Sequence, residues 1–224
     1  MNTLRRLSVA IALAAMSGAA CSGRVSQLTA ELGSADEKTC ESAAKALGAL
    51  GPGAAEAASA MLDVIVKQRR GLGPTCWMTV VDELPKLGPS VTSLLLTALG
   101  DQRAQDAAYV LASMGPSVLP AVTGALVAPT TAEGAAAAIA MLGPAGAPAL
   151  PQLRQARRSN VLSEPRFLAT ISWSRSDETV ADFVAALSSL DPEVRAMAAR
   201  ALKDFRQAIA GGRGGAGARA RVPG

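Results

Sequence analysis

Three thiols and two clusters of cations are the groups in this chain best suited to chemistry. The thiols are Cys21, Cys40 and Cys76, and the chain contains no histidine. A thiol can be acylated, oxidised to a disulfide, or activated as a nucleophile by a neighbouring base or cation. Without imidazole, His-containing triads, His metal sites and the usual general base near neutral pH are excluded. No Cys-x-x-Cys pair and no phosphate-cradling glycine cluster occurs, and acids such as Asp36, Glu37, Glu41, Asp63, Asp82, Glu83, Asp101 and Asp106 are scattered. Most of these acids read as helix caps or solvated positions, with Glu41 and Lys45 an i,i+4 pair. No catalytic residue, cofactor site or metal site is therefore assigned, and the chain is expected not to be an enzyme. The cations are Lys67, Arg69 and Arg70 in one cluster and Arg154, Arg157 and Arg158 in the other. They are candidate contacts for an acidic partner. The competing and favoured reading is that they complement helix C-terminal dipoles, worth about 0.3–1 kcal/mol each.

The N-terminal residues address the chain rather than fold it. Arg5 and Arg6 precede an apolar run from Leu7 to Met16, followed by Ser17, Gly18, Ala19, Ala20 and Cys21. A positive start, a run of ten apolar residues and small residues at its end make an export signal, too short for a stable membrane span. Gly18-Ala19-Ala20-Cys21 resembles a bacterial lipobox, whose cysteine is acylated and becomes the new N-terminus. That resemblance implies a lipid on Cys21, with Ser22 fitting passage to an outer membrane. Ordinary signal cleavage at the same bond is the alternative, giving a soluble periplasmic or secreted protein. Residues 1–20 are thus read as signal and 21–34 as a tether, in a bacterial cell envelope.

Loss of Arg5 and Arg6 lowers the net charge from +4 to +2, and three more arginines (Arg213, Arg219, Arg221) lie in the C-terminal tail. The folded body is close to neutral, so the sequence offers no basic face that demands nucleic acid. Half of the 224 residues are apolar and many of these are alanine, with only three Phe, two Trp and one Tyr. Alanine favours helices that approach closely, which suits thin stacked layers.

The elements that must position these groups follow from four copies of one turn. They read Leu50-Gly51-Pro52, Leu87-Gly88-Pro89, Met114-Gly115-Pro116 and Leu142-Gly143-Pro144, with the prolines 37, 27 and 28 residues apart. Glycine supplies a left-handed stop after one helix and proline presets the first turn of the next. Counting back from each proline, positions two, five, eight and nine are apolar in every copy and trace one stripe of a helix. A second stripe lies five and six residues after the proline, at Ala57/Ala58, Leu94/Leu95, Ala121/Val122 and Ala149/Leu150. Cys40 and Cys76 fall twelve and thirteen residues before their prolines, nearly equivalent places on neighbouring helices. With Cys21 assigned to lipid, these two are expected to pair as a disulfide; two free core thiols are the alternative.

The segments AAKALGALGPGA, VVDELPKLGPSV, AAYVLASMGPSVLPAVTGAL, AAAAIAMLGPAGAPALPQL and DPEVRAMAARAL carry a resemblance to short HEAT-type repeats of the kind found in bilin lyases. It covers roughly residues 35–207. It implies an all-α, right-handed α-α superhelix of about five helical hairpins plus a terminal helix, with second helices lining the concave face. It implies little about activity, because such arrays host scaffolds, adaptors and a few enzymes.

Local signals fill in the hairpins. Ser34 with Glu37 predicts a capping box, and Asp101, Thr131, Ser176 and Asp191 are expected to cap later helices. Pro85 should kink the helix that contains it, while Pro120, Pro148 and Pro151 should delay or loosen the starts of theirs. Phe167, Trp173 and Phe183 are expected to fill a core that alanine fills elsewhere, and Trp77 reads as core filler. Residues 208–224, rich in Gly and Arg, are expected to carry no fixed structure.

Three functions compete on this reading. The favoured one is an envelope lipoprotein that binds an unidentified protein partner as scaffold or adaptor. The second is a structural or stress-related envelope protein without a discrete partner site. The third, a non-His enzyme or lyase-like ligand handler, is disfavoured by the missing histidine and the lack of an aromatic pocket.

Overall fold

The computed structural model describes residues 23–71, 75–174 and 176–218, with side chains through residue 208. The signal segment and Cys21 lie outside the described residues, so lipidation is not addressed by the fold. Among the described residues the chain is all helical, with no strand. Two compact units divide it, Met1–Met114 and Gly115–Gly224.

The first unit begins with a helix the sequence reading did not anticipate. Residues 23–31 form α1 rather than a tether. Val25, Leu28 and Leu32 are buried, and their i, i+3, i+7 spacing places them on one helical face. Helix α2 (Glu37–Leu50) follows, capped by Asp36, whose carboxylate accepts from the Thr39 N–H at 2.9 Å. Ser34 is therefore not the cap; its hydroxyl instead accepts from the Asp36 N–H at 3.1 Å, holding the capping residue itself. Helix α3 (Ala58–Arg69) comes after a 3-10 stretch, Gly51–Ala57. Then come α4 (Trp77–Glu83), α5 (Pro89–Ala98) and α6 (Ala104–Ser113).

Pro85 lacks the N–H that would continue α4, and the chain tightens there into a 3-10 turn, Leu84–Leu87. Helix α4 packs against both α2 and α3, and α6 against α3, α4 and α5. The interior between them is lined by Ala43, Ala44, Leu47, Met61, Leu62, Ile65, Val80, Leu84 and Leu95.

The second unit contains α7 (Leu119–Gly124), α8 (Ala132–Leu142), α9 (Leu150–Arg158), α10 (Glu164–Ile171), α11 (Asp177–Ala186) and α12 (Pro192–Ala218). The prolines delay α7 and α9 as expected, through 3-10 stretches Pro116–Val118 and Gly143–Ala149. Ser176 caps α11 by accepting from the Thr179 N–H, and Asp191 accepts from the Glu193 N–H at 2.8 Å at the head of α12. Thr131 occupies the N-cap of α8 without capping it; its hydroxyl donates to the Ala125 carbonyl at 2.7 Å. Phe167 and Phe183 are fully buried, and Phe183 meets Phe205 edge to face at 5.6 Å. Helix α12 extends through Ala218, into the segment expected to lack structure.

All four turn glycines take the left-handed backbone that the Gly-Pro pattern predicts, with φ of 56° at Gly51, 101° at Gly88, 79° at Gly115 and 58° at Gly143. At Gly88 a second constraint applies, because a Cβ there would lie 3.3 Å from Pro52 of the preceding turn. Two stretches, Glu37–Arg69 and Ala132–Arg158, reach membrane-span length with mean hydropathies of 1.3 and 1.2. Each has a Gly-Pro turn and a 3-10 segment at its centre, interrupting the continuous α-helical bonding a lipid-facing span uses.

Candidate functional site

Packing brings two of the three cysteines together. Because α2 and α4 lie against each other, the Cα atoms of Cys40 and Cys76 are 6.0 Å apart and the two form a disulfide, within the span such a bond can close. Both cysteines are completely buried. The Leu32 carbonyl oxygen lies 3.2 Å from the Cys40 sulfur, and the Gln68 amide points its nitrogen at the Cys76 sulfur from 3.5 Å. The bond thus joins α2 to α4 where the end of α1 and the end of α3 also converge. Oxidised and dry, neither sulfur is available as a nucleophile.

The first basic cluster is drawn into the fold. Arg69 donates to Asp106 on α6 at 2.9 Å, and its guanidinium lies 4.6 Å from the Tyr109 ring and 5.7 Å from the Trp77 ring. The two rings meet edge to face at 5.9 Å. Trp77 is therefore one wall of a half-buried arginine cage rather than simple core filler. Arg70 donates to the Gln102 carbonyl at 3.2 Å. Lys67 is exposed at the end of α3. Nearby, Arg103 forks onto Asp101 and reaches Asp63 on α3 at 3.6 Å. Its hydrogen bond holds the Asp101 carboxyl below the usual aspartate range. Asp101 accepts from the Arg103 N–H just before α6, so it shapes the turn into the helix instead of capping the helix proper.

The second cluster is consumed more completely. Arg154 places two nitrogens on Asp182, at 3.0 and 2.8 Å, and a third on Glu178 at 3.0 Å, tying α9 to α11. The Asp182 hydrogen bond, with Glu178 adding to it, raises the Arg154 guanidinium above its ordinary value. Arg157 lies 4.5 Å over the Phe167 ring, with Asp182 at 3.8 Å and Glu164 at 3.9 Å. Arg158 remains exposed. So Arg69, Arg154 and Arg157 cross-link helices, and only Lys67, Arg70 and Arg158 keep an outward cation. Arg157 and Arg158 still occupy the last turn of α9 and Lys67 and Arg69 that of α3, so the dipole contribution coexists with the ion pairs.

A third polar tie joins α8 to α10. Glu133 accepts from the Ser163 N–H and from Arg166 Nε, both at 3.0 Å. Partial burial works to raise the Glu133 carboxyl, but the Ser163 and Arg166 contacts outweigh it and bring it below the usual glutamate range. Among the described residues no three Cys, Asp or Glu side chains converge to hold a metal ion.

What the sequence reading missed is the other face of α9. Leu153 and Ala156 face the core and Arg154 and Arg157 face α10 and α11. Gln152, Gln155 and Ser159, at i, i+3 and i+7, border a cleft of about 310 Å³ together with Thr123, Leu126 and Val127. The spacing was readable, but the arginines interleaved with it drew the interpretation. No family model, curated protein or solved structure matches the chain.

Proposed function

We propose that this protein is a bacterial cell-envelope lipoprotein, anchored through Cys21, whose helical repeats form a HEAT-like right-handed superhelix and serve as a scaffold or adaptor for another protein. One observation carries the binding role. Cys40, Cys76, Arg69, Arg154 and Arg157 are spent inside the fold, as a buried disulfide and arginine–carboxylate ties, while a neutral cleft and apolar side chains stay open. Val127, Met78 and Leu190 are 79, 63 and 99% exposed. A catalyst would hold perturbed, convergent groups in such a cleft; here the described cleft residues are amides, hydroxyls and aliphatics. Export is supported by the disulfide, which forms and persists in oxidising compartments.

The test has two arms. A radiolabelled fatty acid should mark the wild type and not Cys21→Ala, with the label in the membrane fraction. Crosslinking in cells should then trap a discrete protein adduct identifiable by mass spectrometry. An unlabelled, freely soluble protein overturns the anchor. Labelled protein without any adduct overturns the adaptor role and favours the purely structural one.

A further inference from the structure

We infer that the cleft between α7 and α9 binds an extended, uncharged peptide segment of the partner, with the Gln152 and Gln155 amides holding its main chain. This rests on the adaptor reading above and names what that site takes. Three observations converge on it.

The first is how the cleft is made. Helix α9 ends with Asn160 in the left-handed region, φ 55°. The Asn160 N–H bonds the Arg157 carbonyl at 3.0 Å and the Val161 N–H bonds the Ala156 carbonyl at 2.9 Å. This paired closure brings the residue after the left-handed position back over the last turn of the helix. Val161 is thereby set beside Ala156 as one wall, facing Leu126 and Val127 on the other. The Val161 wall is thus placed by backbone hydrogen bonds.

The second is its charge. The cleft lining carries no ionised group, although Arg154 and Arg157 sit on the same helix. Those arginines are turned onto Asp182, Glu178 and Glu164. A phosphate or carboxylate ligand would find no cation in the lining, and a cation no carboxylate. Saccharides are commonly held against an aromatic face, and the lining has none. A neutral occupant with apolar side chains is what complements it.

The third is the amide pair. The side chains of Gln152 and Gln155 make no hydrogen bond within the described residues, unlike Gln68 beside the disulfide and Gln27 on α1. A primary amide offers two donors and one carbonyl acceptor, able to meet both the carbonyl and the N–H of a peptide backbone. Residues three apart on a helix hold their Cβ atoms about 5–6 Å apart. Every second residue of an extended chain advances about 6.6 Å, a difference that flexible glutamine side chains absorb. The volume of about 310 Å³ is at the small end of ligand sites, which suits a few residues of a strand-like segment rather than a folded domain.

The experiment uses the full chain, labelled with nitrogen-15, and capped decapeptides alternating valine and serine. Matched peptides carry lysine or aspartate at the centre. The neutral peptide is expected to shift the side-chain NH2 resonances of Gln152 and Gln155, saturating below about 1 mM. Gln152→Leu with Gln155→Leu should weaken it at least tenfold, and Val127→Asp should do likewise. All three positions are exposed, so an unchanged amide spectrum elsewhere reports that the variants fold. The charged peptides should bind at least tenfold more weakly. The inference is overturned if the neutral peptide leaves both amides unmoved, if the double variant binds as well as wild type, or if charged peptides bind equally. If partner adducts still form in cells while this result is negative, the adaptor reading stands and only the cleft assignment falls.

Discussion

The first unit locks neighbouring helices with a covalent bond and an arginine packed against two rings, whereas the second places three phenylalanines there; arginine–carboxylate pairs serve both. Both interiors are bulky, but the first is filled by aliphatic side chains such as Leu47, Met61, Leu62, Ile65 and Leu84, while the second adds the rings of Phe167 and Phe183. Where α2 meets α4 the facing residues include Ala43, Ala44, Val80 and Val81, all small and buried. Small side chains let backbones approach but supply little apolar area, at roughly 25 cal/mol per Å². The disulfide adds to the surrounding aliphatic core by restricting the unfolded chain. In the second unit Phe167, Phe183 and Phe205 supply area directly, and no described disulfide is present. A covalent tie in one unit and aromatic rings in the other are different additions to a helical interior that both units share.

Phe167→Ala should break the second unit most severely. Losing a fully buried ring, and the face on which Arg157 rests, should cost about 3–5 kcal/mol. Denaturant unfolding measures the loss, and hydrogen exchange should place it among residues 115–208. A loss shared equally by residues 23–114 would mean the two units are not separately braced.

Reduction, or Cys40→Ser with Cys76→Ser, is the corresponding blow to the first unit. The bridge spans a separation of 36 residues, for which chain entropy gives about 3–4 kcal/mol. Faster exchange should appear in α2 and α4 and leave α10 to α12 unchanged.

Arg154→Met should come next. It keeps the stem but leaves Asp182, whose side chain is 11% exposed, with only the longer 3.8 Å contact to Arg157, at a cost of about 1–3 kcal/mol. A double-mutant cycle with Asp182→Asn sharpens the point: most of the loss should be recovered if the poorly paired carboxylate is its cause.

Gly146→Ala tests the tightest backbone approach in the second unit. A Cβ there would lie 2.9 Å from both the Ile139 carbonyl oxygen and its Cγ2, so overpacking of about 1–3 kcal/mol is expected. Gly53→Ala, in the first unit, meets nothing within 4 Å and should leave the thermal midpoint nearly unchanged.

The smallest effect concerns pH. The Glu133 carboxyl is lowered in the fold, so its contribution is fully present above the ordinary value of 4.5 and is lost as pH falls through the lowered value. The pair is largely exposed and should be worth less than about 1 kcal/mol. Glu133→Gln should flatten that part of the acid limb of a stability–pH curve, with the first unit unaffected.

The features legible in the sequence were those that a single local rule imposes. The left-handed glycines at 51, 88, 115 and 143, the break at Pro85, the loose starts at Pro120, Pro148 and Pro151, and the caps at Ser176 and Asp191 each depend on a few adjacent residues. The Cys40–Cys76 bond was legible because the turn register aligned two helices. Helix α1 was missed because its three apolar residues are embedded among polar ones next to a presumed cleavage point. Asp36 displaced Ser34 as a cap because its carboxylate reaches both the Thr39 N–H and hydroxyl. The roles of the arginines depended on Asp106 and Asp182, 37 and 28 residues away, and distance in sequence hides such pairs. The cleft on α9 needed the closure at Asn160, which no periodicity reveals.

The adaptor account with its partner seated in the cleft of the second unit is tested most directly by one photocrosslinking comparison in intact cells. A photoreactive residue is placed at Val127, beside the cleft of the second unit, or at Met78, an exposed apolar residue of the first. The account predicts a discrete protein adduct from position 127, lost when Gln152→Leu and Gln155→Leu are added, and none of comparable yield from position 78. Adducts of equal yield from both positions, or from neither, would contradict it.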